Sequence, residues 1–260
     1  MEWLKEIAKS PEILKEVYGD LAKPGVQQVG KALNTVLGLG NTALWPVALL
    51  NERAKITLEI NLEKYRVKME SVPEEDVCEV PPEVGVPIAE KISYVTNEEI
   101  SNMYIELLAK ASQTKLANQA HPSFAGIINN LSPDEAILIK SIKTMPGIPF
   151  INVRLMFKGK NEWNELDPMK PGISCLNDLT YPSNIHAYLS NLEGLGVIQI
   201  REDQWMVGEN IYEPLEENAK QMFAAIEKSS PDKELKINKG KIDITPFGRM
   251  LMGACFNNNA

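Results

Sequence analysis

The spacing of apolar residues predicts helices in the first half of the chain. Apolar residues recur at intervals of three and four from Val26 to Leu37. The same spacing returns after Asn51, on a stripe formed by Ala54, Leu58, Leu62, Tyr65 and Met69. Such a stripe is typical of a helix with one buried face. We therefore expect two helices here, and we expect the second, which ends before Pro73, to be the longest of the protein.

Two further helix starts are marked by capping signals. Thr96-Asn97-Glu98-Glu99 and Ser132-Pro133-Asp134-Glu135 each place a hydroxyl three residues before a carboxylate, the arrangement of a capping box. Between them, His121 precedes a short predicted helix. The segment from Pro73 to Pro82 is rich in proline and acid, which predicts a connecting loop on the helical layer. The chain through Asn130 is thus predicted to be helical.

The pattern changes in the second half. Apolar and polar residues alternate from Ile151 to Phe157, which predicts a half-buried strand. Residues 158–182 contain three prolines and predict a long irregular segment. Helices are predicted from Ser183 to Leu195, from Pro214 to Lys228 and after Pro246.

Two hairpins are predicted among these later helices. Residues 197–207 would turn at Glu202-Asp203, and residues 235–244 would turn at Asn238-Lys239-Gly240. Helices followed by such strands resemble a winged-helix domain. The expected fold class is therefore mainly α, with a helical domain over residues 1–130 and a smaller, winged-helix-like α+β domain over residues 131–260.

One stretch differs from the rest of the chain. Residues 32–51 contain no charged side chain, although about one residue in four of the whole protein is charged. A membrane-spanning helix needs roughly 20 apolar residues, and here two glycines, Pro46 and several polar residues interrupt the run. A buried central hairpin or kinked helix is the first interpretation, and a membrane-active segment is the second. The residues proposed for membrane or partner contact are Leu37, Leu39, Leu44, Trp45 and Leu49.

Composition narrows the class of protein. The net charge of −8 disfavours a general affinity for nucleic acid or anionic membrane, since both bind through Lys and Arg. Cys78, Cys175 and Cys255 are odd in number and far apart, which disfavours a disulfide framework. The first residues alternate acids and bases, unlike a signal peptide. A cytoplasmic protein is the expectation.

The sequence offers little for catalysis. His121 and His186 are the only histidines, and we interpret the first as a helix-start contact and the second as a partly buried structural residue. Motifs for zinc proteases, phosphate-binding loops and calcium-binding loops are missing from the sequence. We therefore assign no catalytic residue, no metal ligand and no cofactor, and we expect a protein that is not an enzyme.

Several short strings carry a family resemblance. They include Gly30-Lys31-Ala32-Leu33, Val80-Pro81-Pro82-Glu83, Thr96-Asn97-Glu98-Glu99-Ile100, Leu107-Leu108-Ala109-Lys110-Ala111-Ser112 and His121-Pro122-Ser123-Phe124. With these strings in this order, the chain resembles the Abi-alpha (abortive infection alpha) family of bacterial proteins from about Tyr18 to Phe157.

This resemblance implies a role in abortive infection, in which an infected bacterium is stopped before phage spreads. It supplies no catalytic residues. We expect a phage-defence protein that acts through contacts with protein partners or with further copies of itself, without a small-molecule substrate. Residues 32–51 would stay buried until triggered, or would form part of an oligomer.

Alternatives stay open at this point. In one, the protein moves from the cytoplasm to the membrane on activation and inserts residues 32–51, with Trp45 at the interface and Lys31 and Arg53 at the flanks. In another, the winged-helix-like half regulates DNA, although residues 183–195 lack Lys and Arg. An enzyme whose site is assembled only by the fold is the third.

Overall fold

The structure, a computed structural model, describes residues 25–40 and 51–256. Contacts divide the chain into two compact units, one of Met1–Ala136 with Met250–Ala260 and one of Ile137–Arg249. The sequence places this boundary at residue 130 and assigns the last helix to the second domain. Helices predominate, and a four-stranded antiparallel sheet accompanies them, so the fold is mainly helical as predicted.

The first unit contains a helical core. Its largest fully buried side chains include Tyr65, Tyr104 and Phe124. The helix over residues 52–70 has nineteen residues and is the longest of the described helices, which agrees with the prediction for that part of the chain. The helices are α1 (Val26–Gly40), α2 (Glu52–Glu70), α3 (Pro82–Ile92), α4 (Glu98–Ala111) and α5 (Ser123–Asn129), followed by α6 (Pro133–Ile142), where the second unit begins.

The two capping signals have different outcomes. At α6 the capping box forms as predicted, because Ser132 N donates to Glu135 Oε2 over 2.6 Å and Glu135 N donates to Ser132 Oγ over 3.3 Å. At α4 the cap is Asn97, whose Oδ1 accepts from Ile100 N over 3.1 Å. The prediction that Thr96 caps α4 is therefore wrong by one residue, since Asn is an equally good N-cap.

The segment before α3 is fastened to α1. Glu79 accepts hydrogen bonds from Thr35 Oγ1 and, over 3.2 Å, from Asn34 Nδ2, and Val80 N donates to Ala32 O over 2.8 Å. The predicted loop from Pro73 to Pro82 ends one residue sooner than expected, because α3 begins at Pro82. Proline is tolerated at the first position of a helix, where its missing N–H is not needed.

The second unit is built on one sheet. Its strand order is β2-β1-β4-β3, and all pairs are antiparallel. One helix packs on the two central strands, with a core that includes Ile151, Val153 and Ala219. The strands are β1 (Ile148–Phe157), β2 (Trp163–Pro171), β3 (Ile198–Arg201) and β4 (Lys233–Ile244), and the helices are α7 (Ile185–Gly194), α8 (Glu213–Lys228) and the start of α9 (Pro246–Cys255).

The prediction of β1 is confirmed, but the prediction that residues 158–182 form a long irregular segment is wrong. Residues 163–171 form β2, which pairs with β1 from Met156↔Trp163 to Phe150↔Pro171. Pro168 and Pro171 obscure this strand in the sequence. They are tolerated because β2 lies at the edge of the sheet, where one side of the strand has no ladder to complete.

Both predicted hairpins are wrong. β3 pairs with β4, with Ile198 opposite Ile244, and residues 205–207 lie outside the strands. β4 runs unbroken through the predicted turn, because Gly240 allows close packing there: a Cβ at this position would lie 2.2 Å from Phe150 Cζ. The winged-helix arrangement is consequently not confirmed.

Gly240→Ala tests this close approach. The added methyl group meets the Phe150 ring, so we expect the free energy of unfolding to fall by about 1–3 kcal/mol. Gly194→Ala, in the same unit, is the control, because its Cβ has no heavy atom within 4 Å and alanine favours a helix. Urea unfolding measures both. Equal stability of the two variants would contradict the packing argument.

The Glu79 carboxylate predicts a pH dependence. Hydrogen bonds from Thr35 and Asn34 lower the pKa of Glu79, so its contribution to stability is present above the ordinary pKa of Glu and is lost as pH falls through the lowered value. Glu79→Gln should therefore destabilise the protein at about pH 7 and less at about pH 3. Urea unfolding at both pH values is the measurement. Glu75→Gln, an exposed neighbour, should show no such difference.

Candidate protein-contact surface

The inner side of α2 is held firmly in the first unit. Tyr65 and Ser112 share a hydrogen bond of 2.5 Å, Lys64 Nζ donates to Asn102 Oδ1 over 3.2 Å, and Lys68 pairs with Glu106. Burial raises the pKa of the Tyr65 hydroxyl, which therefore stays protonated and bonded. These contacts join α2 to α4 and to the residue after it.

Contacts within α2 add to this rigidity. Arg66 binds Glu63 over 2.9 Å and Glu70 over 3.0 Å, so that one guanidinium spans two turns of the helix. The first of these hydrogen bonds is the main reason why the pKa of Arg66 is raised. At the other end, Asn51 Oδ1 accepts from Arg53 N and Ala54 N. The helix is thus fixed along its length.

The outer side of α2 carries an apolar row. Ile56, Ile60 and Val67 are each 55 % exposed, and their spacing of four and seven residues places them on one side of the helix. We call these three residues the α2 outer row. Single exposed apolar residues are ordinary, but three aligned on a rigid helix indicate a contact surface.

A pocket of about 340 Å³ lies beside the α2 outer row. It opens between α2 and the start of α4, and Ile60 belongs to both the row and the pocket. Its lining is mixed, with aliphatic, hydroxyl, amide and charged groups. The lining residues are Thr57, Ile60, Asn61, Lys64, Val95, Thr96, Glu98 and Ser101.

The polar groups at the base of the pocket bind one another. Buried Asn61 donates from Nδ2 to Ile92 O over 2.7 Å and to Val95 O over 3.2 Å. Ser101 Oγ donates to Asn61 Oδ1 over 2.5 Å. With these bonds made, the base is a fixed wall, and the pocket can receive a side chain from another protein next to Ile60.

The residues that the sequence proposes for membrane or partner contact do not belong to the α2 outer row or the pocket beside it. Leu37 and Leu39 belong to α1, where the structure describes their backbone, and Leu44, Trp45 and Leu49 lie outside the described residues. Among residues 25–40 and 51–256, no helix is long and apolar enough to cross a membrane. The structure does not describe residues 41–50, so the proposal that residues 32–51 contact a membrane or a partner stays a prediction.

The two histidines have separate outcomes. His121 Nδ1 lies 2.7 Å from Ser123 Oγ and accepts from Ser123 N over 3.2 Å, which confirms a structural contact at the start of α5. His186 is exposed on α7, so the prediction that it is partly buried is wrong. Within the described part of the chain, no group of three or more His, Cys, Asp or Glu residues could hold a metal ion.

The apolar pattern that predicts α2 from the sequence covers its buried stripe and does not include the α2 outer row. Leu58, Leu62, Tyr65 and Met69 are buried as predicted, whereas Ala54, predicted on the same stripe, is partly exposed. Ile56, Ile60 and Val67 fall on the opposite side, among charged residues. A helical wheel of residues 52–70 would reveal them, because four and seven residues both complete almost whole turns.

Comparison with known protein families finds a match over most of the chain. A family model described as abortive infection alpha matches residues 57–255 of the 260-residue chain. This range includes most of the α2 outer row and the whole second unit. No curated protein and no solved structure matches the chain.

Ser101→Ala tests the wall of the pocket. Loss of the hydroxyl leaves the buried Asn61 Oδ1 without its donor, so we expect the free energy of unfolding to fall by about 1–3 kcal/mol. Ser93→Ala is the control, because Ser93 Oγ donates to Glu90 O at a partly exposed site, and its effect should stay within about 0.5 kcal/mol. Thermal and urea unfolding measure both changes. Equal losses would show that Asn61 does not depend on Ser101.

Proposed function

The chain belongs to the abortive infection alpha family, and from this membership we propose that it defends bacteria against phage through contacts with other proteins. In this proposal the protein acts in the cytoplasm and performs no chemical step of its own. Binding of a partner during infection leads to arrest of the infected cell. The α2 outer row is the surface that makes the contact.

The exposure of the α2 outer row is the observation that carries the proposal. Complete burial of an Ile or Val side chain contributes about 1.5–3 kcal/mol, and these three side chains are only about half buried in the chain itself. A partner that covers them would gain roughly 1 kcal/mol from each. Together the three residues would contribute about 3 kcal/mol, which is roughly a hundredfold in affinity.

The rigidity of α2 supports the same proposal. Association loses free energy when side chains and backbone become ordered, and a surface that is already fixed loses less. The ties from Lys64, Tyr65 and Lys68 hold α2 in place before a partner arrives. The pocket beside Ile60 adds a recess for one side chain of the partner, in the way that anchor residues enter preformed pockets.

The test is phage protection by an Ile56→Gln, Ile60→Gln double variant. Glutamine keeps helix propensity close to that of the native residues while it removes apolar surface. We expect protection to fall, so that the efficiency of plating of the phage rises by at least about tenfold, the effect of about 1.4 kcal/mol of lost binding. Stability should change by less than about 1 kcal/mol.

A matched control separates this surface from any exposed apolar residue. Met222→Gln, on α8, also replaces an exposed apolar side chain, and protection should be retained. A photoreactive residue at position 60 should form an adduct with a protein during infection. Full protection by the double variant, or an adduct with lipid at position 60, would contradict the proposed function.

A further inference from the structure

A second exposed apolar site lies in the other unit, on the loop between β3 and α8. We call residues 202–211 the Trp205 loop. Trp205 is 60 % exposed and Val207 is 93 % exposed. Val207 is the most exposed of the large apolar residues for which the structure describes side chains. Such exposure of a Trp and a Val on either side of one residue calls for a functional explanation.

The residue between them anchors the loop. Met206 packs against the cluster of Ile151, Val153, Tyr212 and Ala219. Its backbone N–H donates to the Tyr212 hydroxyl over 2.9 Å, and that hydroxyl donates to Gly240 O over 2.8 Å. Since Met206 is tied by both its side chain and its backbone, Trp205 and Val207 project from a fixed point of the sheet.

The charge around these two side chains is negative. Glu202, Asp203, Glu209 and Glu213 are exposed, and none of them forms an ion pair with another described residue. Arg201 Nε and Lys241 Nζ lie 4.0 Å and 3.1 Å from the same Asp243 carboxylate, so these three side chains keep one positive charge against the four negative charges of those carboxylates. Four exposed carboxylates thus lie within six residues of the apolar pair in the sequence.

We propose that the Trp205 loop binds a protein partner whose apolar cleft is rimmed by Lys and Arg side chains. Trp205 and Val207 enter the cleft, and the surrounding carboxylates face the basic rim. Complementary charge of this kind steers encounter and selects the partner. Nucleic acid and anionic lipid carry the same sign of charge as the loop and are repelled by it.

This inference rests on the proposed function only in its assumption that the protein acts by binding. It names the chemistry of a partner and a surface separate from the α2 outer row. The Trp205 loop could fail as a binding site while the α2 outer row remains the contact surface. The experiment below is arranged so that these two failures give different results.

The experiment places p-benzoylphenylalanine at position 205 of the full chain in infected cells. This photoreactive side chain is aromatic and apolar, like tryptophan, but larger. The same residue at position 163 is the positional control, because Trp163 is also exposed, at 44 %. Adducts formed on irradiation are mapped by mass spectrometry to the residue of the partner.

Charge reversal tests the basic rim in the same experiment. Glu202→Lys, Asp203→Lys and Glu209→Lys together should reduce the adduct at position 205 by at least about tenfold. Glu74→Lys, Glu75→Lys and Glu83→Lys change the net charge equally at exposed sites of the first unit, and should reduce it less than about twofold.

The expected result is a discrete protein adduct at position 205, absent at position 163, that maps to apolar residues flanked by Lys or Arg. The proposal is overturned by an adduct with lipid or nucleic acid, by equal adducts at both positions, by equal effects of the two triple variants, or by no adduct. If the inference fails while Ile56→Gln, Ile60→Gln still lowers protection at least about tenfold, the proposed function stands without it.

Discussion

Buried polar side chains must find hydrogen-bond partners, and this demand fixes the irregular backbone in both units. Asn61 reaches the carbonyl groups of Ile92 and Val95, and so sets the path of the chain from α3 to α4. In the sheet, Asn152 Oδ1 accepts from Met169 N over 2.7 Å, where the pairing of β1 and β2 is irregular. The Tyr212 hydroxyl does the same for the loop after β3. In each case one side chain bonds to backbone groups at the end of a helix, at an irregular point of the sheet or in a loop.

The two candidate surfaces follow from this internal satisfaction. The contacts that hold α2 in the first unit lie on its inner side, so its stability does not depend on apolar residues on its outer side. Apolar residues there are available for binding. The Trp205 loop is similar, since Met206 and Tyr212 supply the anchorage while Trp205 and Val207 stay largely exposed. Surfaces that folding does not require are where a function based on contacts is expected.

The sequence predicted those parts of the fold that depend on local pattern. The buried stripe of α2, the capping box at Ser132 and the strand at Ile151 follow from spacing and from caps over a few residues. The errors come from contacts between distant residues. In the sequence Gly240 is typical of a turn, whereas in the fold it makes room for the ring of Phe150 on the neighbouring strand. The prolines of β2 suggest a loop until the strand order puts them at an edge.

The candidate sites were harder to predict for the same reason. Asn61 accepts a hydrogen bond from Ser101, forty residues later in the chain, and no pattern in the sequence around either residue indicates this contact. The α2 outer row has a periodic signal, but that signal does not distinguish a contact surface from a second buried face. Exposure decides between them, and exposure is a property of the assembled unit.

The position of β2 has a consequence for the protein at high concentration. A strand at the edge of a sheet offers backbone groups to any other strand, which is a common route to aggregation. Pro168 and Pro171 have no N–H to offer, and the backbone of Met169, at a φ of 49°, departs from the extended form that such pairing needs. The β2 edge is therefore a poor template for amyloid-like growth, in a protein that also exposes apolar side chains.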